Sequence, residues 1–236
     1  KEQRGYITPQ EFNLFADQAQ MEIFEQYFYD MSQLEKFTGS TNQLADIITN
    51  LQQKINAFHT IYWGPNEYLE FTEYGNINLW EVAPDLYRLG DVKVTWGGAR
   101  STVCEYIQNE KQRILYRESP LTTPSKNHPI YISYSSAHGN EVIPSRVQIF
   151  PYPIEGKDNV TITYIRKPKK PNWNYVVVND KPLYNSTVST DFELHIAEES
   201  ELVYRILAFA GIAIEKPQLT QTAAGLEQAK VQQEKQ

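Results

Sequence analysis

The side chains able to do chemistry are scattered along this chain. The four histidines, His59, His128, His138 and His195, fall in separate segments, none at the spacing of a known metal motif. Cys104 is the lone cysteine, which rules out an intrachain disulfide and a cysteine-based zinc site and suits a reducing compartment. Gly97-Gly98 stands alone with no Lys-Ser/Thr pair after it, so it does not read as a phosphate loop. Neither Ser135 nor Ser136 carries the flanking glycines of a nucleophile elbow. Carboxylates cluster at Glu67, Glu70 and Glu73 and again at Asp191 and Glu193. Two carboxylates facing each other across a cleft would serve glycoside hydrolysis. In a chain this acidic, such clusters are expected as solvated faces. No catalytic, metal or cofactor set is predicted, and the chain reads as non-enzymatic.

The densest positive charge is Arg166-Lys167-Pro168-Lys169-Lys170. One reading is a strand end guarded by charge and proline. The other is a salt-sensitive contact with phosphate or with an acidic neighbour. Arg166, Lys167, Lys169 and Lys170 are therefore the candidates for subunit or DNA contact.

The composition narrows the class. The 236 residues carry a formal charge of −7, with 22% charged and 41% hydrophobic side chains. That is a globular balance, and it argues against a surface given over to gripping nucleic acid. The length allows one large domain or two small ones. Sixteen tyrosines suit half-buried strands and wet interfaces. The longest apolar run, Ile206 to Ile214, contains Gly211 and is too short for a bilayer, so no membrane partner is expected. No signal peptide is visible, and the first residue is Lys1 rather than Met, which leaves room for residues ahead of it. Without a secretory signal, the sequons at Asn159 and Asn185 are read as chance.

The elements come in an order that fits an α+β fold. Thr8, Pro9 and Glu11 form a capping box ahead of a helix whose apolar stripe runs Phe12, Phe15, Ala16, Ala19, Ile23, Tyr27, Met31. Phe24, Phe28 and Phe37 lie off that stripe and call for a second covered surface. After the Gly39–Asn42 turn, Leu44, Ile47, Ile48, Leu51, Ile55 and Phe58 predict a second helix, paired antiparallel with the first. Strand patterns follow at Glu67 to Phe71, Ile77 to Trp80 and Leu86 to Trp96, with turns at Gly75-Asn76 and Gly90-Asp91. A sparse stripe of Val103, Ile107 and Ile114 predicts a helix near 101–116. Ser119 to Pro129 reads as a loop. Strands are expected at Ile130 to Tyr134, Arg146 to Phe150, Val160 to Ile165 and Trp173 to Val178.

The C-terminal stretch is the least self-sufficient. A helix opening at Glu198-Glu199-Ser200-Glu201 is expected to stop at Gly211, and a second helical run to begin at Pro217. After Leu226 that second run offers only Ala229 and Val231 as apolar groups. This is too little for a docking stripe, and a polar helix of that length is marginal alone. The arm is therefore expected to be held by another molecule, with Leu219, Leu226, Lys230 and Val231 as the docking residues. The expected organisation is a helical bundle from 1–59 and 191–236 with that extended arm. A β-rich insertion, sandwich or barrel-like, spans 60–190.

Several segments resemble the head-to-tail connector (adaptor or ring) proteins of tailed phages. They are Val147-Gln148-Ile149-Phe150-Pro151 and Val160 through Pro168, a strand ending in Pro followed by a Tyr-x-Arg-x-Pro strand. Gly5 through Asn13, Phe192 through His195, and Glu201 through Ile212 are similar to ring proteins of crAss-like podoviruses in particular. The resemblance implies a non-enzymatic virion protein of the tail or neck, assembled in the host cytoplasm. It implies a homo-oligomeric ring, dodecameric, stacked against the portal protein and neighbouring ring or tail proteins around transiently passing double-stranded DNA. Two other classes stay open: a receptor- or carbohydrate-binding tail module using Trp63, Trp80, Trp96 and Trp173, and a lytic or glycosidic enzyme using carboxylates such as Glu70, Glu73 and Asp191.

Overall fold

The structure, a computed structural model, describes residues 7–34, 36, 42–63, 76–98, 100–108, 110–138, 141–153, 158–178, 181–213, 221–226 and 228–229. The fold is α+β and divides into two compact units, Lys1–Ile55 with Pro168–Gln236, and Asn56–Lys167. The segment 168–190, expected in the β-rich insertion, belongs with the helices. It is tied there by hydrogen bonds to the first helix.

That helix, α1 (Pro9–Leu34), starts on the capping box. The Thr8 amide donates to the Glu11 carboxylate at 2.8 Å, and the Glu11 amide donates to Thr8 Oγ1 at 3.3 Å. The Thr8 amide first, and its hydroxyl second, hold the Glu11 carboxyl below its ordinary pKa. The expected stripe is buried at Ala16, Ala19, Ile23 and Tyr27, and Phe24 and Phe28 are buried as well, so α1 is covered on more than one side.

The second helix, α2 (Asn42–Asn56), is not the main partner of α1. Among the described residues of its apolar face Leu51 is buried but Ile47 is exposed, and α2 meets α1 where Lys54 lies over the Tyr27 ring at 5.6 Å. The place expected for α2 is taken by α5 (Glu199–Ala213), which runs antiparallel to α1. Phe15 meets Phe209 with centroids 6.3 Å apart. Arg205 reaches Glu22 at 3.1 Å and also bonds Gln26, while its other nitrogens hold Glu201 at 2.7 and 3.0 Å. A single 3-10 turn, Ile196–Glu198, leads into α5, capped by His195, whose Nδ1 accepts the Ala197 amide at 3.2 Å. The helix does not stop at Gly211. That residue is buried and the helix continues to Ala213, since one glycine costs a helix only about 1 kcal/mol.

The other unit is a two-sheet sandwich. One sheet orders β1 (His59–Trp63), β8 (Asn159–Arg166), β3 (Leu86–Thr95) and β4 (Ser101–Val103), all antiparallel. The second orders β2 (Asn76–Asn78), β7 (Glu141–Phe150), β6 (Ile130–His138) and β5 (Glu105–Ile107), the last parallel to β6. Val92, Val94, Val160 and Ile162 of the first sheet share one core with Ile77, Val147 and Ile149 of the second. Alternation in β3 is as the sequence predicts, with Val92 and Val94 wholly buried. After β2, a one-turn helix α3 (Leu79–Val82) replaces the expected continuation of the strand to Trp80. The expected strand at Glu67 to Phe71 lies outside the described residues.

Two corrections come from partners that periodicity cannot show. Residues 101–107 are the strands β4 and β5, and the helix α4 is confined to Glu110–Glu118. Between the strands, buried Cys104 passes the chain from one sheet to the other, its amide donating to Val92 O at 2.8 Å. β-Branched Thr102 and Val103 favour this over a helix. Gly90-Asp91 is not a tight turn but a bulge inside β3, where two residues stand opposite Thr163. Thr163 Oγ1 accepts the Asp91 amide at 2.7 Å and donates to Asp91 O at 3.1 Å. A side chain on Gly90 would put its Cβ 2.9 Å from both the carbonyl oxygen and Oγ1 of Thr163. Gly90→Ala is therefore expected to destabilise the protein by about 1–3 kcal/mol, read by urea unfolding. A midpoint unchanged from the parent would show that the bulge does not need glycine.

Candidate functional site

The basic run crosses the boundary between the two units. Arg166 lies over the Phe58 ring at 5.7 Å, its amide donating to Phe58 O at 3.0 Å and its guanidinium to Lys167 O at 3.3 Å. The Lys167 amide donates to Asp85 O at 2.8 Å. Both side chains are half-buried at the end of the sandwich. Lys169 and Lys170 belong to the helical unit and are exposed, with Lys170 3.7 Å from Asp17. The unit boundary falls within the run, at Pro168, with Arg166 and Lys167 on one unit and Lys169 and Lys170 on the other.

Glu193 accepts the Lys169 amide at 2.8 Å, while the Glu193 amide donates to Gln20 Oε1 at 3.0 Å. Asp191 is exposed, and Glu67, Glu70 and Glu73 lie outside the described residues. Burial pushes the Cys104 thiol up to about 12, leaving it protonated and inert at neutral pH. The Tyr131 and Tyr164 phenols are likewise pushed up to about 12, chiefly by burial. No cluster of three or more metal-capable side chains occurs among the described residues. Of the four tryptophans, Trp96 is buried in the sandwich core and Trp173 is exposed on the helical unit, while the side chains of Trp63 and Trp80 lie outside the described residues. No helix among the described residues is long and apolar enough to cross a membrane.

What the helical unit does present is a hairpin. β9 (Tyr175–Val178) and β10 (Lys181–Tyr184) pair antiparallel as a sheet of their own. Its base is built from polar side chains. Asn13 of α1 accepts the Trp173 amide at 2.7 Å and donates to Trp173 O at 3.1 Å and to Asn172 Oδ1 at 2.8 Å. Asn172 exchanges backbone bonds with Thr190, and Ser189 Oγ accepts the Asn174 amide at 3.0 Å and donates to Asn185 O at 2.7 Å. Gln20, one turn pair further along α1, holds both legs by donating to Lys169 O at 2.8 Å and accepting from Glu193. Above this fixed base, Trp173, Tyr175, Val176, Leu183 and Tyr184 are exposed, with the Trp173 and Tyr175 rings 5.5 Å apart. A two-stranded ribbon is marginal alone, and one with apolar side chains on both faces is built for contact.

The sequence signal for β10 is the two-residue spacing of a hairpin: only Asn179-Asp180 separates Val178 from Lys181. Of the arm's docking candidates, Leu226 is described and exposed, on a helical stretch over 221–226, while Leu219, Lys230 and Val231 lie outside the described residues. Ala223 on that stretch is buried by its own chain. The helical start expected at Pro217 also falls outside the described residues.

Compared with models of known protein families and with curated proteins, the chain matches none.

Because Asn13 fixes the hairpin base through three hydrogen bonds, Asn13→Ala is expected to raise amide hydrogen exchange across Trp173–Val178 and to lower stability by about 1–3 kcal/mol. Unchanged exchange at these amides would show that the clamp is dispensable.

Proposed function

We propose that this chain is a structural, non-enzymatic subunit of an oligomeric ring in a phage head-to-tail connector, stacking at the portal and lining the DNA passage. The observation that carries this reading is the β9–β10 hairpin, an apolar ribbon held out from the helical unit by a rigid polar base. Fixing the base in advance removes much of the ordering cost of association. The resemblance at both chain ends and in the β7–β8 segment supplies the kind of assembly. Charge supports it too. The helical unit has 17 acidic against 11 basic residues, so −6 of the net −7 lies there. A ring with such a surface would let DNA slide rather than adhere. In this reading exposed Lys169 and Lys170 are contacts for passing phosphate or for an acidic neighbour.

Native mass spectrometry and negative-stain imaging of the purified protein, alone and with portal protein, are expected to show closed rings of about a dozen copies, the closure that heterologous interfaces allow. A compact monomer that binds nothing at high concentration would end the proposal. The paired Trp173 and Tyr175 rings favour a second reading, a receptor- or carbohydrate-binding tail module. Glycan-array binding by the parent that Trp173→Ala abolishes would select it over the ring.

A further inference from the structure

The β9–β10 ribbon has two long edges, and they differ in what they can accept. Among the described residues the sheet consists of these two strands, so neither edge is covered by a third. Which backbone groups point outward follows from the base. The Asn185 amide donates to Asn174 O at 3.0 Å, which makes 174 and 185 a hydrogen-bonded pair. Antiparallel pairs alternate between bonded and non-bonded. With the observed register, Val176–Leu183 and Val178–Lys181 are therefore bonded, and Tyr175–Tyr184 and Val177–Pro182 are not. The backbone groups of these last four residues face away from the ribbon. Tyr175 agrees with this parity, its amide donating to its own Asn174 Oδ1 at 2.8 Å rather than into the ladder.

Natural edge strands are guarded by charge, proline or a bulge. On β10 the outward position opposite Val177 is Pro182, which has no N–H to give and interrupts any ladder there. β9 has no such guard. Its Tyr175–Val178 strand carries no charge and no proline, and the N–H and C=O of Val177 stand at its open edge. Apolar side chains are exposed on both faces, Tyr175 and Tyr184 on one, Val176 and Leu183 on the other.

We propose that β9 pairs antiparallel with β9 of a second copy, about a two-fold axis at Val177, into a four-stranded sheet ordered β10-β9-β9-β10. Each Val177 amide donates to the Val177 carbonyl of the other copy. What each ribbon lacks selects this occupant. Two strands are marginal alone, three or more with an apolar face are stable, and a second ribbon has the same deficit, so one contact completes both. β1 is another edge without Lys, Arg, Asp or Glu, but it already belongs to a four-stranded sheet packed in the sandwich. Antiparallel crossing also carries Asp180 and Lys181, next to the connection, away from their counterparts. The −6 of the helical unit opposes contact between copies through its charged surfaces, whereas backbone pairing along a neutral strand is indifferent to it. Pro182 on both outer edges stops addition at four strands, so the contact closes at two copies. This inference goes beyond the ring reading and does not depend on it, since a two-fold contact joins copies in pairs while ring closure takes a heterologous one.

Amide exchange followed by NMR over a concentration series reads the contact directly. The Val177 amide is expected to exchange fast in dilute protein and about tenfold slower or more once copies pair, while the Val176 amide, bonded within the ribbon, is protected at both. Val177→Pro removes the donor at a position the ribbon itself does not use. It is expected to weaken pairing about tenfold in sedimentation, with Leu183 amide protection showing that the ribbon survives. Val177→Cys sets two Cα atoms about 5.5 Å apart across the axis, within disulfide reach, and is expected to crosslink to itself under mild oxidation. A parent that stays monomeric at high concentration, or a Val177 amide that stays fast in associated copies, overturns the inference. So does protection of Val177 without the crosslink, because the added strand then comes from elsewhere. Rings with an unprotected Val177 would leave the ring reading standing and end this one, and crosslinked pairs that never close into rings would do the reverse.

Discussion

A single buried amide sets the layout of the helical unit. Gln20 is wholly enclosed on α1, and it satisfies its oxygen and its nitrogen on two different chain segments, Glu193 and Lys169. Glu193 closes the loop by accepting the Lys169 amide. A buried amide left unpaired would cost about 1–3 kcal/mol, so the two segments must lie side by side along α1 for the helix to pack at all. Asn13 stands seven residues earlier, close to the same angular position on the helix, and repeats the device at the hairpin base. Phe15, Glu22 and Gln26 point the other way and take α5. Thus α1 runs between two neighbours, one recognised through amides and the other through a ring and a guanidinium.

The start of α5 uses charge in a related way. Glu198 and Glu201 would be costly to bury alone, and each is met by a cation, Lys54 and Arg205. Favourable placement at the positive end of the helix dipole accounts for acids there, but not for their burial. The paired cations do. They also fix which turn of α5 faces α1 and therefore which residues are left on the outside.

Local features were legible from sequence because their physics is local. The capping box at Thr8 and Glu11, and the alternation of Val92 and Val94, need no knowledge of the rest of the chain. Features decided by a distant partner were not. Thr163 turns Gly90-Asp91 from an apparent turn into a bulge, and the sheet switch at Cys104 turns an apparent helix stripe at Val103 and Ile107 into strands. Ile114, placed on that stripe, is exposed on α4. In the basic run, adjacency in sequence hides a division: Arg166 and Lys167 end the sandwich unit while Lys169 and Lys170 begin the return to the helical one. The hairpin was half visible as one strand, and its exposed aromatics looked like ordinary strand residues because exposure leaves no mark on a period-two pattern.

The hydrogen bond from the Arg166 amide to Phe58 O extends the β1–β8 ladder by one residue, to the very place where the sandwich joins the rest of the chain at either end. Entry and exit therefore sit on adjacent strands, about 5 Å apart. A module with such neighbouring ends behaves as a cassette. It can be lengthened, trimmed or exchanged for an unrelated one without stretching the host, because the gap to be bridged never changes.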